Sequence, residues 1–184
     1  MIYVTSDQHF NHDRSFIYSR LNYTSIDQAN KDLIRKWNSV VKADDEVYVV
    51  GDFFLGPNCL VNVMLDQLNG KIHLIIGNHD TEEKIKIYRK HPKIVSIEAA
   101  CYLTYKGRRF FMSHYRAETA DLRSDPKHAI YNLFGHSHEP KLFYDDKPYQ
   151  YNVQVDAHSG YPVSMDQVMK DIDNEIKICC SYLI

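Results

Sequence analysis

Ile72-His73-Leu74-Ile75-Ile76-Gly77-Asn78-His79-Asp80 is the stretch from which the fold is read. Its first five residues form a short apolar run closed by a glycine, the pattern of a buried strand. Directly behind the strand come an amide, an imidazole and a carboxylate. In open α/β sheets ligands collect beyond the carboxyl ends of the strands, so chemistry placed there belongs to a site. Working outward, the same order recurs. Ile2-Tyr3-Val4 leads to Asp7-Gln8-His9, Val47-Tyr48-Val49-Val50 to Gly51-Asp52, and Phe110-Phe111-Met112 to Ser113-His114. Gly135-His136-Ser137-His138 follows the strand-like Tyr131–Phe134. A sheet edge that gathers these strand ends brings together Asp7 and Asp52, Asn78, and the imidazoles of His9, His79, His114, His136 and His138.

The spacing has a physical sense at each motif. Side chains two apart on an extended segment point the same way, so Asp7 with His9, and His136 with His138, are expected to aim into one cavity. Asn78 and His79 are adjacent and diverge, so they are expected to have different tasks. Gly51, Gly77 and Gly135 are expected where each strand turns sharply, which a residue without Cβ does at low cost. Mixed nitrogen and oxygen donors without thiolate suit Mn, Fe, Ni, Co or Zn rather than Ca. Read from its residues alone, the chain is a metal-dependent hydrolase.

The five motifs in this order resemble those of the calcineurin-like metallophosphoesterase superfamily, D-x-H, G-D, G-N-H-D/E, H and G-H-x-H, over residues 1 to 138. Tyr151 to Val155 followed by Pro162-Val163-Ser164 extends the likeness towards residue 170. The resemblance implies a four-layer α/β/β/α sandwich, two mixed β-sheets flanked by helices. It also implies roles. Asp7, His9 and His138 would hold one metal, Asn78, His114 and His136 a second, and Asp52 would bridge them. His79 matches the histidine that donates a proton in this family instead of binding metal. The implied reaction is in-line attack on phosphorus by a metal-bridging hydroxide, with His79 protonating the departing oxygen. Two divalent ions are the implied cofactor, manganese ahead of Fe, Ni, Co or Zn.

Composition bounds the rest. With 184 residues the chain is expected to form a single domain over residues 1–184. Hydrophobic content of 44% and charged content of 25% are ordinary for a globular protein. Lys and Arg number 22 against 24 Asp and Glu, a net charge of −2, so extended nucleic-acid binding is not expected and a small phosphorylated or nucleotide-like substrate is. No apolar run approaches the roughly 18 residues of a membrane span. A cleavable signal of about 15–30 residues would carry away Asp7 and His9, so a cytoplasmic location is expected. Cys59, Cys101, Cys179 and Cys180 lack metal or redox spacing and read as buried or inert thiols.

Ile26, Ala29, Leu33, Ile34, Trp37, Val40 and Val41 recur at helical spacing, predicting a helix over 26–41. A second helix is predicted over 59–69, with Leu60, Val61, Met64, Leu65 and Leu68 inward. A third is predicted from Thr81, its N-cap, to before Pro92. Strands are predicted over 94–97, 100–105, 109–112, 131–134, 141–144 and 149–155, with a hairpin turn at Lys106-Gly107-Arg108.

Other residues rank lower. His12 is a candidate contact for substrate phosphate, and Arg116 a candidate phosphate clamp, because guanidinium forks match phosphate oxygens. Asp80 is expected to orient His79 or cap the following helix. His73, His91, His128 and His158 read as strand or surface residues. After Gly51-Asp52 many relatives carry another acidic residue, where this chain continues Phe53-Phe54-Leu55-Gly56. The polar segment between His114 and Tyr131, with Arg116, Glu118, Asp121, Arg123 and Asp125, is expected to lie over the metals. Without a large cap insertion the site is expected to be open and to admit phosphodiesters slightly ahead of monoesters. The alternatives are a phosphomonoesterase acting on a nucleotide or sugar phosphate, a nuclease, and a non-catalytic metal-binding interaction module on the same scaffold. Retention of His79 with every expected ligand argues against the last.

Overall fold

The computed structural model describes residues 1–119, 129–144 and 147–181. One sheet is built from β1 (Ile2–Thr5), β2 (Glu46–Val50), β3 (Lys71–Ile75) and β4 (Ile94–Glu98), all parallel, with the two-residue β9 (Val163–Ser164) antiparallel beside β1. Its strand order is β4-β3-β2-β1-β9. The other sheet holds β5 (Ala100–Tyr105), β6 (Arg108–Ser113), β7 (Ile130–Phe134) and β8 (Gln150–Asn152) in sequence order. Here β5 and β6 form an antiparallel hairpin, and β7 and β8 continue parallel to β6. Both sheets are therefore mixed, and helices flank them, as expected.

Alternation along the strands sorts the side chains of the first sheet onto two faces. Tyr3, Val47, Val49, Ile72 and Leu74 belong to one core. The helices of that core include the crossovers that parallel neighbours require. After the short α1 (Ser15–Tyr18), α2 (Ile26–Val40) joins β1 to β2, α3 (Val61–Gln67) joins β2 to β3, and α4 (Glu82–Tyr88) joins β3 to β4. They contribute Leu33, Trp37, Leu65 and Tyr88 to it. Val4, Val50 and Ile75 face a second core with Phe110, Met112 and Leu133 of the other sheet and Val168 and Ile172 of α5 (Met165–Ser181). Ser25 caps α2 by accepting from the amide of Gln28, and Thr81 caps α4 by accepting from that of Lys84.

The structure departs from expectation in four places. Residues Asn58–Leu60 form a 3-10 turn after Pro57, and α3 begins only at Val61. Leu60 on that tighter turn stays 39% exposed, off the face that buries Val61, Met64 and Leu65. Residues 141–144 are not a strand. Asn152 holds that segment irregularly, its amide donating to Leu142 O and its side chain to Glu139 O and Lys141 O. The strand expected over 149–155 is confined to Gln150–Asn152. Helix α5 was not anticipated, although Met165, Val168 and Ile172 stand at helical spacing and are all fully buried. Among the described residues, Cys59, Cys101 and Cys179 form no disulfide, and Cys59 is exposed. Among the described residues no helix is long and apolar enough to cross a membrane.

Candidate metal centre

Loops leaving the carboxyl ends of β1, β2, β3, β6 and β7 meet at one edge of the two sheets. Their side chains sort into two groups. Ligand atoms of Asp7, His9 and His138 lie within 4.8 Å of one another, as do those of Asp52, His114 and His136. Asp52 links them, its Oδ2 lying 3.7 Å from His9 Nε2 and 3.4 Å from His114 Nε2. Within the first group, Asp7 Oδ1 is 3.7 Å from both His9 Nε2 and His138 Nε2. Asn78 joins the second group, with Oδ1 3.0 Å from His114 Nε2. His79 stands at the rim, its side chain 46% exposed and its Nε2 4.0 Å from Asp52 Oδ2.

The backbone reaches this arrangement by a route the spacing did not reveal. Asp7, His9, Asp52, His136 and His138 all have positive φ, between 48° and 74°. Asp7 and His9 are thus not on an extended segment; two left-handed residues swing them inward. His136 and His138, both on left-handed backbone, fall one into each group. Of the three motif glycines only Gly51 has positive φ. Gly77 is needed for close approach instead, since a Cβ there would lie 2.2 Å from Asp52 Oδ1. The same holds for Gly135, where a Cβ would lie 2.5 Å from Asp7 Oδ2.

Hydrogen bonds hold the loops in place. Asp7 Oδ2 accepts from Ser6 Oγ at 2.6 Å and from the amide of His136 at 3.0 Å, tying β1 to the last motif. Asp52 Oδ1 accepts the amide of His79 at 2.8 Å. Asp80 has a structural task different from the two expected. Buried, it accepts from the amides of Asp52, Phe53 and Gly77, and so clamps the β2 loop to the β3 loop. His114 Nδ1 can only donate to Val50 O, 2.9 Å away, which turns Nε2 towards the site. Burial opposes charge on both Asp52 and His114, yet their mutual attraction prevails. The Asp52 carboxyl is held down to about 2, and the His114 imidazole is raised to about 9.

These residues fit divalent cations. Asp7 Oδ1 and His9 Nε2 are buried without a hydrogen-bond partner. An unpaired buried polar atom is costly, and a cation between these donors removes the cost. Carboxylate oxygens and imidazole nitrogens 3.7 Å apart, as in Asp7 with His9 and His138, are the donor set such an ion needs.

His12 lies beside the first group, Nδ1 3.4 Å from His9 Nδ1 and its ring 6.2 Å from that of His79. Burial, reinforced by the neighbouring His9, His79, Arg14 and Arg20, holds its imidazole down to about 4. Arg116 stands over the Tyr144 ring at 5.4 Å and lines a pocket of about 250 Å³ with His136. The segment expected over the site is described only to Thr119, where Ala117 is bound to Asn132 and Gln150 of the second sheet. Asp121, Arg123, Asp125 and His128 lie outside the described residues. The sequence reading missed Gln154, whose Oε1 accepts the His138 amide, and Asp156, which meets His138 Nδ1. Gln154 sits in the isolated bridge to Ser6 and Asp156 in the turn just after it, where the residue types alone carried no signal.

Residues 1–153 match the profile of the calcineurin-like phosphoesterase superfamily domain. An uncharacterized protein of Methanocaldococcus jannaschii is 32% identical over 179 residues, which span 94% of this chain and 91% of that protein. The crystal structure of a protein of unknown function from Aquifex aeolicus shares the fold, with a TM-score of 0.72 at 23% identity, over 92% of this chain and 98% of its own. Because the profile runs through all five motif loops and the archaeal likeness through nearly the whole chain, this protein belongs to the calcineurin-like phosphoesterase superfamily.

Proposed function

We propose that the chain is a dinuclear-metal-dependent phosphoesterase acting on small phosphorylated or nucleotide-like esters, with diesters slightly preferred. One observation carries the reading. The donor group of Asp7, His9 and His138 meets that of Asp52, His114 and His136 at one oxygen, Asp52 Oδ2, with Asp7 Oδ1 and His9 Nε2 buried and unpaired beside it. Asp7, His9 and His138 would hold one cation, Asn78, His114 and His136 the other, and Asp52 both. A pair of divalent cations supplies charge neutralisation for a phosphate and a nucleophile at neutral pH.

The chain's own groups supply the rest. His79 is exposed enough to reach a substrate, and its amide bond to Asp52 Oδ1 keeps it at the rim. From there Nε2 can give a proton to the departing oxygen, a contribution of about 10²–10⁴-fold for a positioned acid. His12, beside His79, can accept or donate at a phosphate oxygen. The pocket of about 250 Å³ next to His136 is lined also by Arg116, Phe134, Ser137, Glu139 and Tyr144. It offers space for a second substituent on phosphorus, which favours the diester over the monoester.

The test is to strip the protein of metal, add back Mn²⁺, and assay bis-p-nitrophenyl phosphate beside p-nitrophenyl phosphate. Metal-dependent turnover, faster on the diester, is expected. Faster turnover of the monoester selects the phosphomonoesterase reading. No turnover with Mn²⁺, Fe²⁺, Ni²⁺, Co²⁺ or Zn²⁺ would count against an enzyme of this class.

A further inference from the structure

The donor groups differ in what stands behind them. His114 is backed by a neutral backbone carbonyl, Val50 O. His138 is backed by a carboxylate, with Nδ1 3.2 Å from Asp156 Oδ2. A carboxylate only accepts, so this contact puts a ring proton on Nδ1 and turns Nε2 towards Asp7 Oδ1. Asp156 is itself 5% exposed at its side chain, and its other oxygen has no hydrogen-bond partner. What faces that oxygen is the guanidinium of Arg20, with Nε 3.5 Å away. Arg20 is fixed in turn by donating to Ile17 O at 3.0 Å. A line of groups thus runs from the turn after α1, through Asp156, to the ring of His138. Asp156 lies beyond residue 153, where the family match ends.

From this line we infer that Asp156 is a positioning residue for His138, held by Arg20, and that the site is incomplete without the chain beyond the family-matched segment. Backing an imidazole donor with a carboxylate fixes its tautomer and ring orientation and makes it a stronger donor. Asp156 is therefore expected to set how tightly the group of Asp7, His9 and His138 holds its ion, and to leave the other group alone. The inference rests on the metal-site reading above for its second consequence only; the tautomer is a property of the ion-free chain.

The experiment compares the unaltered chain with Asp156→Ala, Asp156→Glu and Arg20→Met. ¹⁵N NMR of histidine-labelled, metal-free protein reads the His138 tautomer, and titration with Mn²⁺ alone reads the two ions separately. The unaltered chain should carry the proton on Nδ1. Asp156→Ala should mix the tautomers and weaken one Mn²⁺ by roughly 10–100-fold, the range for such outer partners. Asp156→Glu should restore part of both effects, and Arg20→Met should reproduce them more weakly. A His138 ring without a proton on Nδ1 in the unaltered chain would overturn the inference. So would equal weakening of both ions, which marks a merely structural residue. If the unaltered chain binds no Mn²⁺, the dinuclear reading fails, while the tautomer still decides the role of Asp156.

Discussion

At the residue level the site is an exercise in crowding. Five of its donors occupy left-handed backbone, a strain on the order of 1–3 kcal/mol for each non-glycine residue. The strain is offset by bonds that cross between loops, such as those from the amides of Asp7 and His9 to Gly51 O and Asp52 O. No slack remains around them. A methyl at Gly77 would lie 2.2 Å from Asp52 Oδ1 and 2.4 Å from its amide nitrogen, so no rotamer change relieves it. Gly77→Ala is expected to displace Asp52, abolish Mn²⁺ binding, and cost about 1–3 kcal/mol of stability. Normal ion stoichiometry in that variant, measured by calorimetric titration, would contradict the geometry. The roles proposed for two neighbours separate in the same experiment. Asp52→Ala should lose bound ions and activity together. His79→Ala should keep both ions while kcat falls by about 10²–10⁴-fold. Equal metal loss in the two variants would undo the distinction between ligand and acid.

Elements position the site by anchoring the strands whose ends carry it. Helix α2 does this for the first sheet. Trp37 is 1% exposed, stacks near Phe53 at 6.0 Å, and donates its indole N–H to Asn69 O at 2.8 Å. Phe53 directly follows Asp52, so the packing under α2 also underlies the bridging loop. Trp37→Ala should cost about 3–5 kcal/mol in urea unfolding, the range for emptying a large aromatic site. Helix α5 anchors the opposite core. Ile172 is fully buried there, and its replacement by Ala should cost about 2–5 kcal/mol. Near-zero change in either variant would mean that its helix contributes little to the folded state.

For the whole molecule, the donors come together only in the folded chain, so ion binding should add to stability. The residues that would hold ions come from five loops spread between Asp7 and His138, and the unfolded chain cannot bring them together. An ion present at 100 times its dissociation constant adds about 2.7 kcal/mol. For a chain of this length that is a rise in Tm of roughly 5–10 °C for each ion. Calorimetry of the stripped protein with and without Mn²⁺ measures it, and EDTA should reverse the gain. An unchanged Tm at saturating Mn²⁺ would contradict binding at these buried donors.

Much of this was legible in the residues. The strand runs ending at Val4, Val50 and Ile76, the helix over 26–41 and the Thr81 cap are local matters, settled by periodicity and side-chain chemistry. So is the donor inventory, because oxygen and imidazole groups can be named without knowing their positions. What the tertiary structure alone decided is pairing across the chain. The resemblance allots His136 and His138 to different groups, but it is left-handed backbone, not strand alternation, that delivers them there. Asp80 spends its carboxylate on amides of a loop 28 residues away, a bond no local pattern announces. Asp156 meets His138 only because the stretch after β8 lies alongside Ser6 at the end of β1. Residues 141–144 carry a strand-like pattern, but Asn152 takes their carbonyls before a neighbouring strand can. Sequence determines which groups are present and which segments are regular; long-range hydrogen bonds and close packing decide which groups meet.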